Sequence, residues 1–75
     1  MEKKQIKLLV DEGILGTPLV RFAGGTNYIT FNRLSGQGAA VNLTAVDGSL
    51  KVFKTIDAAA GLLREVGFYK FEVWH

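Results

Sequence analysis

Residues 54–67 constrain the fold more than any other stretch, because they encode one short amphipathic helix together with its start and its stop. Thr55 is placed as an N-cap, where its hydroxyl can accept from a backbone N–H one turn into the helix, and Asp57 sets a negative charge against the positive end of the helix dipole. Gly67 follows the last apolar residue, where a left-handed backbone is wanted and only glycine adopts it without steric penalty. Between these signals Ile56, Ala59, Ala60, Leu63 and Val66 recur at helical spacing with Leu62 beside them, while Gly61, Arg64 and Glu65 fall outside the stripe. Ala59 and Ala60 leave no bulk between the helix backbone and whatever lies beneath. A helix this short is not stable alone in water, so it must be held by packing on strands.

The strands have to come from the remainder of a 75-residue chain, which is length for a single domain, 1–75. Cysteine is absent, so neither a disulfide framework nor a thiolate metal site can staple the fold, and a reducing compartment is the natural setting. A core this small implies modest stability or a partner subunit. The apolar run at residues 6–10 is too short for a leader and is followed at once by Asp11 and Glu12, and no run approaches membrane-spanning length. The expectation is a cytoplasmic protein without a membrane partner. Nine basic residues against seven acidic ones give a net charge of +2, a weak electrostatic footprint for nucleic acid.

At the start, Ile6, Leu9 and Val10 fit a helix while Ile6, Leu8 and Val10 fit a strand. The helix-forming Lys, Gln, Leu and Glu, with Gly13 as a stop, favour a short helix over residues 3–12. Ile14 and Leu15 then dock its exit, and Gly16-Thr17-Pro18 turn the chain. From Pro18 the period changes to two. Residues 19–23 and 27–32 form a hairpin across Gly24-Gly25-Thr26, and residues 33–38 form a longer loop. Residues 39–46 and 50–54 make a third and a fourth strand across Asp47-Gly48-Ser49, and residues 68–74 alternate again as the last.

The pattern predicts an α+β fold in the order α-β-β-β-β-α-β: an antiparallel sheet of about five strands, with a short N-terminal helix and the C-terminal-half helix on one face. Alternation sends Val20, Phe22, Ile29, Phe31, Val41, Leu43, Ala45, Leu50, Val52, Tyr69, Phe71 and Val73 toward the helices. The other face then carries Arg21, Tyr28, Thr30, Asn42, Thr44, Lys51, Phe53, Lys70 and Trp74.

Catalysis finds little support. The single histidine is His75, at the end of the chain, where fraying spoils the positioning that proton transfer demands. No zinc-type cluster can be assembled, and Asp11, Glu12, Asp47 and Asp57 follow no cation-binding motif, so they read as solvated or capping carboxylates. No cofactor and no small-molecule substrate is indicated, and an enzyme is not expected. Gly24-Gly25-Thr26 and Gly36-Gln37-Gly38 join strands rather than lead into a helix N-terminus, which makes them turns rather than phosphate cradles. The uncovered face has more to offer. Tyr28, Phe53 and Trp74 present flat surfaces to unpaired bases, and Arg21, Arg33, Lys51 and Lys70 can neutralise phosphates. Aromatic residues of this kind also bury at homodimer interfaces. Lys3, Lys4 and Lys7 form the densest positive cluster, which reads as a solvated end or an arm on phosphate.

Leu9-Val10-Asp11-Glu12-Gly13-Ile14-Leu15, Val20-Arg21-Phe22, the whole of residues 53–68 and Lys70-Phe71-Glu72-Val73 are similar to small bacterial proteins of plasmids and integrating elements. These are often grouped with partition or replication accessory factors. The resemblance covers about half the chain, implies a bacterial, cytoplasmic accessory protein, and transfers no functional residue. Together with the uncovered face it leads to the expectation of a non-enzymatic accessory protein of a bacterial mobile element. Such a protein would bind nucleic acid, single-stranded or backbone-first, through Arg21, Tyr28, Arg33, Lys51, Phe53, Lys70 and Trp74. The alternative is a homodimeric protein-interaction module serving a partition, replication or defence complex.

Overall fold

The structure, a computed structural model, describes residues 1–34 and 40–74, Trp74 through its backbone alone. Its elements run α1 (Lys3–Asp11), β1 (Leu15–Ala23), β2 (Thr26–Arg33), β3 (Val41–Asn42), β4 (Val52–Phe53), α2 (Ile56–Glu65) and β5 (Glu72–Trp74). This is the expected α+β order. The expected loop at 33–38 and the expected opening of the third strand at Ala39 fall largely on residues 35–39, outside the described residues, as does His75.

Both helices form where their end signals lie. At α1 the Glu2 side chain and the Gln5 side chain cap each other's backbone, with Glu2 N–H donating to Gln5 Oε1 at 2.9 Å. At α2 the Thr55 hydroxyl accepts from Ala58 N–H at 3.1 Å, and Gly67 takes a φ of +105° just beyond the end. Ala59 is wholly buried, which brings α2 close onto the sheet, and Leu63 and Val66 complete its inner face. Ile6 of α1 joins them, with Leu15, Val20, Ile29, Phe31, Val41 and Leu43 from the sheet side, in one hydrophobic core. Phe68, just past α2, sets its ring 5.7 Å from that of Phe31.

The sheet is mostly antiparallel. β2 pairs antiparallel with β1 on one side and with both β3 and β4 on the other. The hairpin between β1 and β2 turns on Gly24 and Gly25, at φ +59° and +81°, the pair of positive values that matches the twist of the flanking strands. β5 lies on the far side of β1 and runs parallel to it. Because β4 and β5 both run in the direction of β1, the chain must cross from one sheet edge to the other, and α2 is that crossover. This is why a single helix of ten residues covers the middle of the sheet.

Several boundaries differ from the sequence expectation. β1 begins at Leu15, so Gly16-Thr17-Pro18 is strand and not turn. A register irregularity separates Leu15 from Pro18, and β5 pairs only with residues 19–21, so no ladder bond on that side is asked of the proline nitrogen. The third and fourth strands shrink to two residues each, supplemented by a single bridge between Thr44 and Leu50. The Asp47 carboxylate accepts from Ser49 N–H at 3.0 Å within the turn, and the Thr44 N–H donates to the carbonyl of Met1 at 2.7 Å, so a turn bond and a bond to the N-terminus stand where a long ladder was expected. Residues 68–71 are spent leaving α2, with Phe68 N–H donating to the Leu63 carbonyl, and β5 starts only at Glu72.

The inward set is accordingly smaller than alternation predicts. Val20, Ile29, Phe31, Val41 and Leu43 are buried. Phe22 is 51% exposed at the hairpin end, beside the first residues of α2, and Tyr69 is 81% exposed in the link between α2 and β5. Leu50, Val52 and Val73 are also exposed.

Candidate nucleic-acid interface

Register decides what the sheet face opposite the helices carries. Val20, Ile29 and Phe31 lie in the core with α1 and α2, so alternation turns Leu19 and Arg21 of β1, and Tyr28 and Thr30 of β2, to the side without helices. Arg21 stands directly opposite Tyr28. The backbone of Trp74 is the partner of Arg21 in β5, and Val52 is the partner of Tyr28 in β4. One row thus runs Trp74, Arg21, Tyr28, Val52 across the sheet. The next row runs Glu72, Leu19, Thr30, Asn42.

In that second row the Thr30 hydroxyl donates to Asn42 Oδ1 at 2.8 Å, which satisfies a side chain only 4% exposed. Asn42 itself is exposed, and its amide N–H2 group remains able to donate to a ligand. Arg21 is exposed and Tyr28 half-buried, so the guanidinium can reach a phosphate beside a partly exposed ring. Glu72 brings a carboxyl one row away from Arg21, and this lowers the positive potential of the face.

The seven expected site residues do not share one surface. Arg21 and Tyr28 are brought together, with the Trp74 backbone beside them. Phe53 lies on the helix side: it pairs with Asn27, whose amide donates to the Phe53 carbonyl at 3.3 Å, and its ring packs against the core. Lys51, one residue before Val52, also falls on the helix side, where it lines a groove with the start of α1 and Leu62 of α2. A one-residue offset in the short β4 exchanges the faces of everything counted from Leu50, which corrects both placements. Arg33 pairs with Leu15 at the far end of the hairpin and shares the alternation of Ile29 and Phe31. Lys70 is exposed in the link ahead of β5, outside the ladder.

Sequence reasoning missed Leu19 and Val52 as members of this face. The Gly24-Gly25 turn held a usable signal for Leu19, because a two-residue turn pairs Ala23 with Thr26 and so fixes the whole hairpin register. Nothing local marked Val52. Among the described residues no group of three or more His, Asp and Glu side chains is arranged to hold a metal ion, and no helix is long and apolar enough to cross a membrane. No protein-family model, curated protein or solved structure matches the chain.

Proposed function

We propose that this chain is a non-enzymatic accessory protein that binds single-stranded nucleic acid through the sheet face opposite the helices, in the bacterial mobile-element setting that the sequence resemblance implies. The observation that carries it is the direct cross-strand pairing of exposed Arg21 with half-buried Tyr28 on the side of the sheet that no helix covers. An aromatic ring on a strand offers a sequence-tolerant stacking surface, and a guanidinium next to it supplies the phosphate contact.

Fluorescence anisotropy with labelled oligothymidine and oligouridine at low salt tests this directly. Arg21→Ala and Tyr28→Ala should each weaken binding by about tenfold, in line with roughly 1–3 kcal/mol for a stacked base. Lys51→Ala should change it far less. Undetectable binding by the unaltered chain, or full binding by Arg21→Ala, sets the proposal aside. A homodimeric protein-interaction module is favoured instead by Val52, an aliphatic side chain 49% exposed in the same row as Arg21, and by the nearby carboxyl of Glu72. A concentration-independent dimer by light scattering, with no oligonucleotide binding, is its signature.

A further inference from the structure

The two edges of the sheet are finished differently. On the β3 side the Met1 ammonium donates to the Asn42 carbonyl at 3.1 Å, and the Thr44 N–H donates to the Met1 carbonyl at 2.7 Å, so Met1 occupies that edge. The other edge is β5, which pairs with β1 alone and has no strand beyond it among the described residues. An edge of this kind presents backbone N–H and C=O groups that can pair with a further strand. The β1 ladder reaches β5 only from Glu72 onward, so Tyr69, Lys70 and Phe71 lie outside it and can be drawn into a longer strand by a partner.

The side chains along this edge specify which strand fits. Val73 is the partner of Val20 and Phe71 packs against the core, so both face the helix side, and alternation turns Lys70 and Glu72 to the other. Lys70 and Glu72 are exposed, and so are Tyr69 and Val73. A second copy of the chain, laid antiparallel and centred on Phe71, sets Lys70 of each copy directly opposite Glu72 of the other and Tyr69 opposite Val73. Opposite charges on one face and an aromatic against a β-branched residue on the other are both favourable cross-strand pairs. Centring on Lys70 or on Glu72 brings like charges face to face, and a parallel in-register alignment does the same. We propose that the chain self-associates through the β5 edge, two copies pairing antiparallel about Phe71 so that their five-stranded sheets join into one. The two-fold axis makes the contact closed, so it stops at two copies. Both copies then carry their helices on one side of the joined sheet and their Arg21–Tyr28 rows on the other. A contact made by residues 69–73 of each copy is small, so the dimer depends on concentration.

Sedimentation velocity over roughly 10 μM to 1 mM protein reads the association, and 1H–15N spectra over the same series should place the concentration-dependent shifts at residues 69–73. Lys70→Glu sets two carboxylates opposite each other and Glu72→Lys two ammonium groups, so each variant alone should associate at least about tenfold more weakly. Mixed in equal amounts, the two variants regain both opposite-charge pairs, and a mixed dimer should form about as tightly as that of the unaltered chain. Both positions are exposed, so each variant should keep the circular dichroism spectrum of the folded chain. A monomer throughout the range overturns the proposal and leaves the edge to a foreign strand. A dimer insensitive to both charge reversals overturns it in favour of the Val52 row, and failure of the mixed variants to pair overturns it as well. Oligonucleotide binding is read separately, so self-association and the proposed function can each fail while the other stands.

Discussion

Lys3 Nζ lies 2.6 Å from Glu65 Oε2, which ties the first turn of α1 to the last turn of α2 on the same side of the sheet. The hydrogen bond from Lys3, reinforced by its charge, holds the Glu65 carboxyl below the usual carboxylate range. Its folded-state pKa is therefore lower than in the unfolded chain. The pair contributes to folding at pH values above the unfolded-chain pKa and loses that contribution as pH falls through the depressed folded value. Glu65→Gln should flatten the acid limb of the stability profile measured by circular dichroism. Near neutrality the change should be small, because both side chains are more than half exposed, and it should vanish in roughly 1 M salt.

Two glycines of the α2 region should respond to alanine with opposite signs. Gly61 lies inside α2 with open space around it, so Gly61→Ala should stabilise by about 0.5–1 kcal/mol through helix propensity and a less flexible unfolded chain. Gly67 holds φ at +105°, and a Cβ there would stand 3.8 Å from Val10 Cγ1. Contact is not the obstacle; the backbone is. Gly67→Ala should destabilise by about 1–2 kcal/mol, and urea denaturation of the two variants side by side reads the difference.

The same contrast explains what can be read from the chain itself. α2 is legible because Thr55, Ala59, Leu63 and Gly67 each act within a few residues of one another, and the hairpin is legible because Gly24-Gly25 fixes its own register. The parallel pairing of β5 with β1 depends instead on where a crossover ends, which no local residue records. Pro18 suggests a turn by its chemistry and becomes strand because β5 happens not to reach it. At the candidate site, Arg21 and Tyr28 follow from the hairpin alone. Phe53 and Lys51 do not, since a two-residue strand offers too little alternation to distinguish one register from the next.

Phe31 and Phe22 carry the same expectation from alternation, yet should differ sharply when truncated. Phe31 is fully buried between the sheet and α2, against Phe68. Phe31→Ala should cost about 3–5 kcal/mol, a large part of the roughly 4–11 kcal/mol available to a chain of this length. Phe22 is half exposed at the hairpin end, and Phe22→Ala should cost about 1 kcal/mol or less. Thermal unfolding followed by near-ultraviolet circular dichroism should find Phe22→Ala cooperative and Phe31→Ala largely unfolded near 37 °C.

Under the proposed function, salt dependence gives the most direct view of how many phosphates the sheet face opposite the helices would engage. Each phosphate neutralised on a single strand contributes about −0.7 to the slope of log affinity against log salt. If all four basic residues of the sequence expectation acted together, the slope would approach roughly −3. Lys51 lies on the helix side and Arg33 at the far end of the hairpin, which leaves Arg21, with Lys70 exposed in the link ahead of β5, as the cations taken to contribute. The expected slope for oligothymidine is therefore about −1 to −1.5, falling to about half that in Arg21→Ala and unchanged in Lys51→Ala. Anisotropy titrations across a range of salt concentrations measure it. A slope near the larger value would place strand contacts on the helix side as well, and would contradict a binding surface confined to the row of Arg21 and Tyr28.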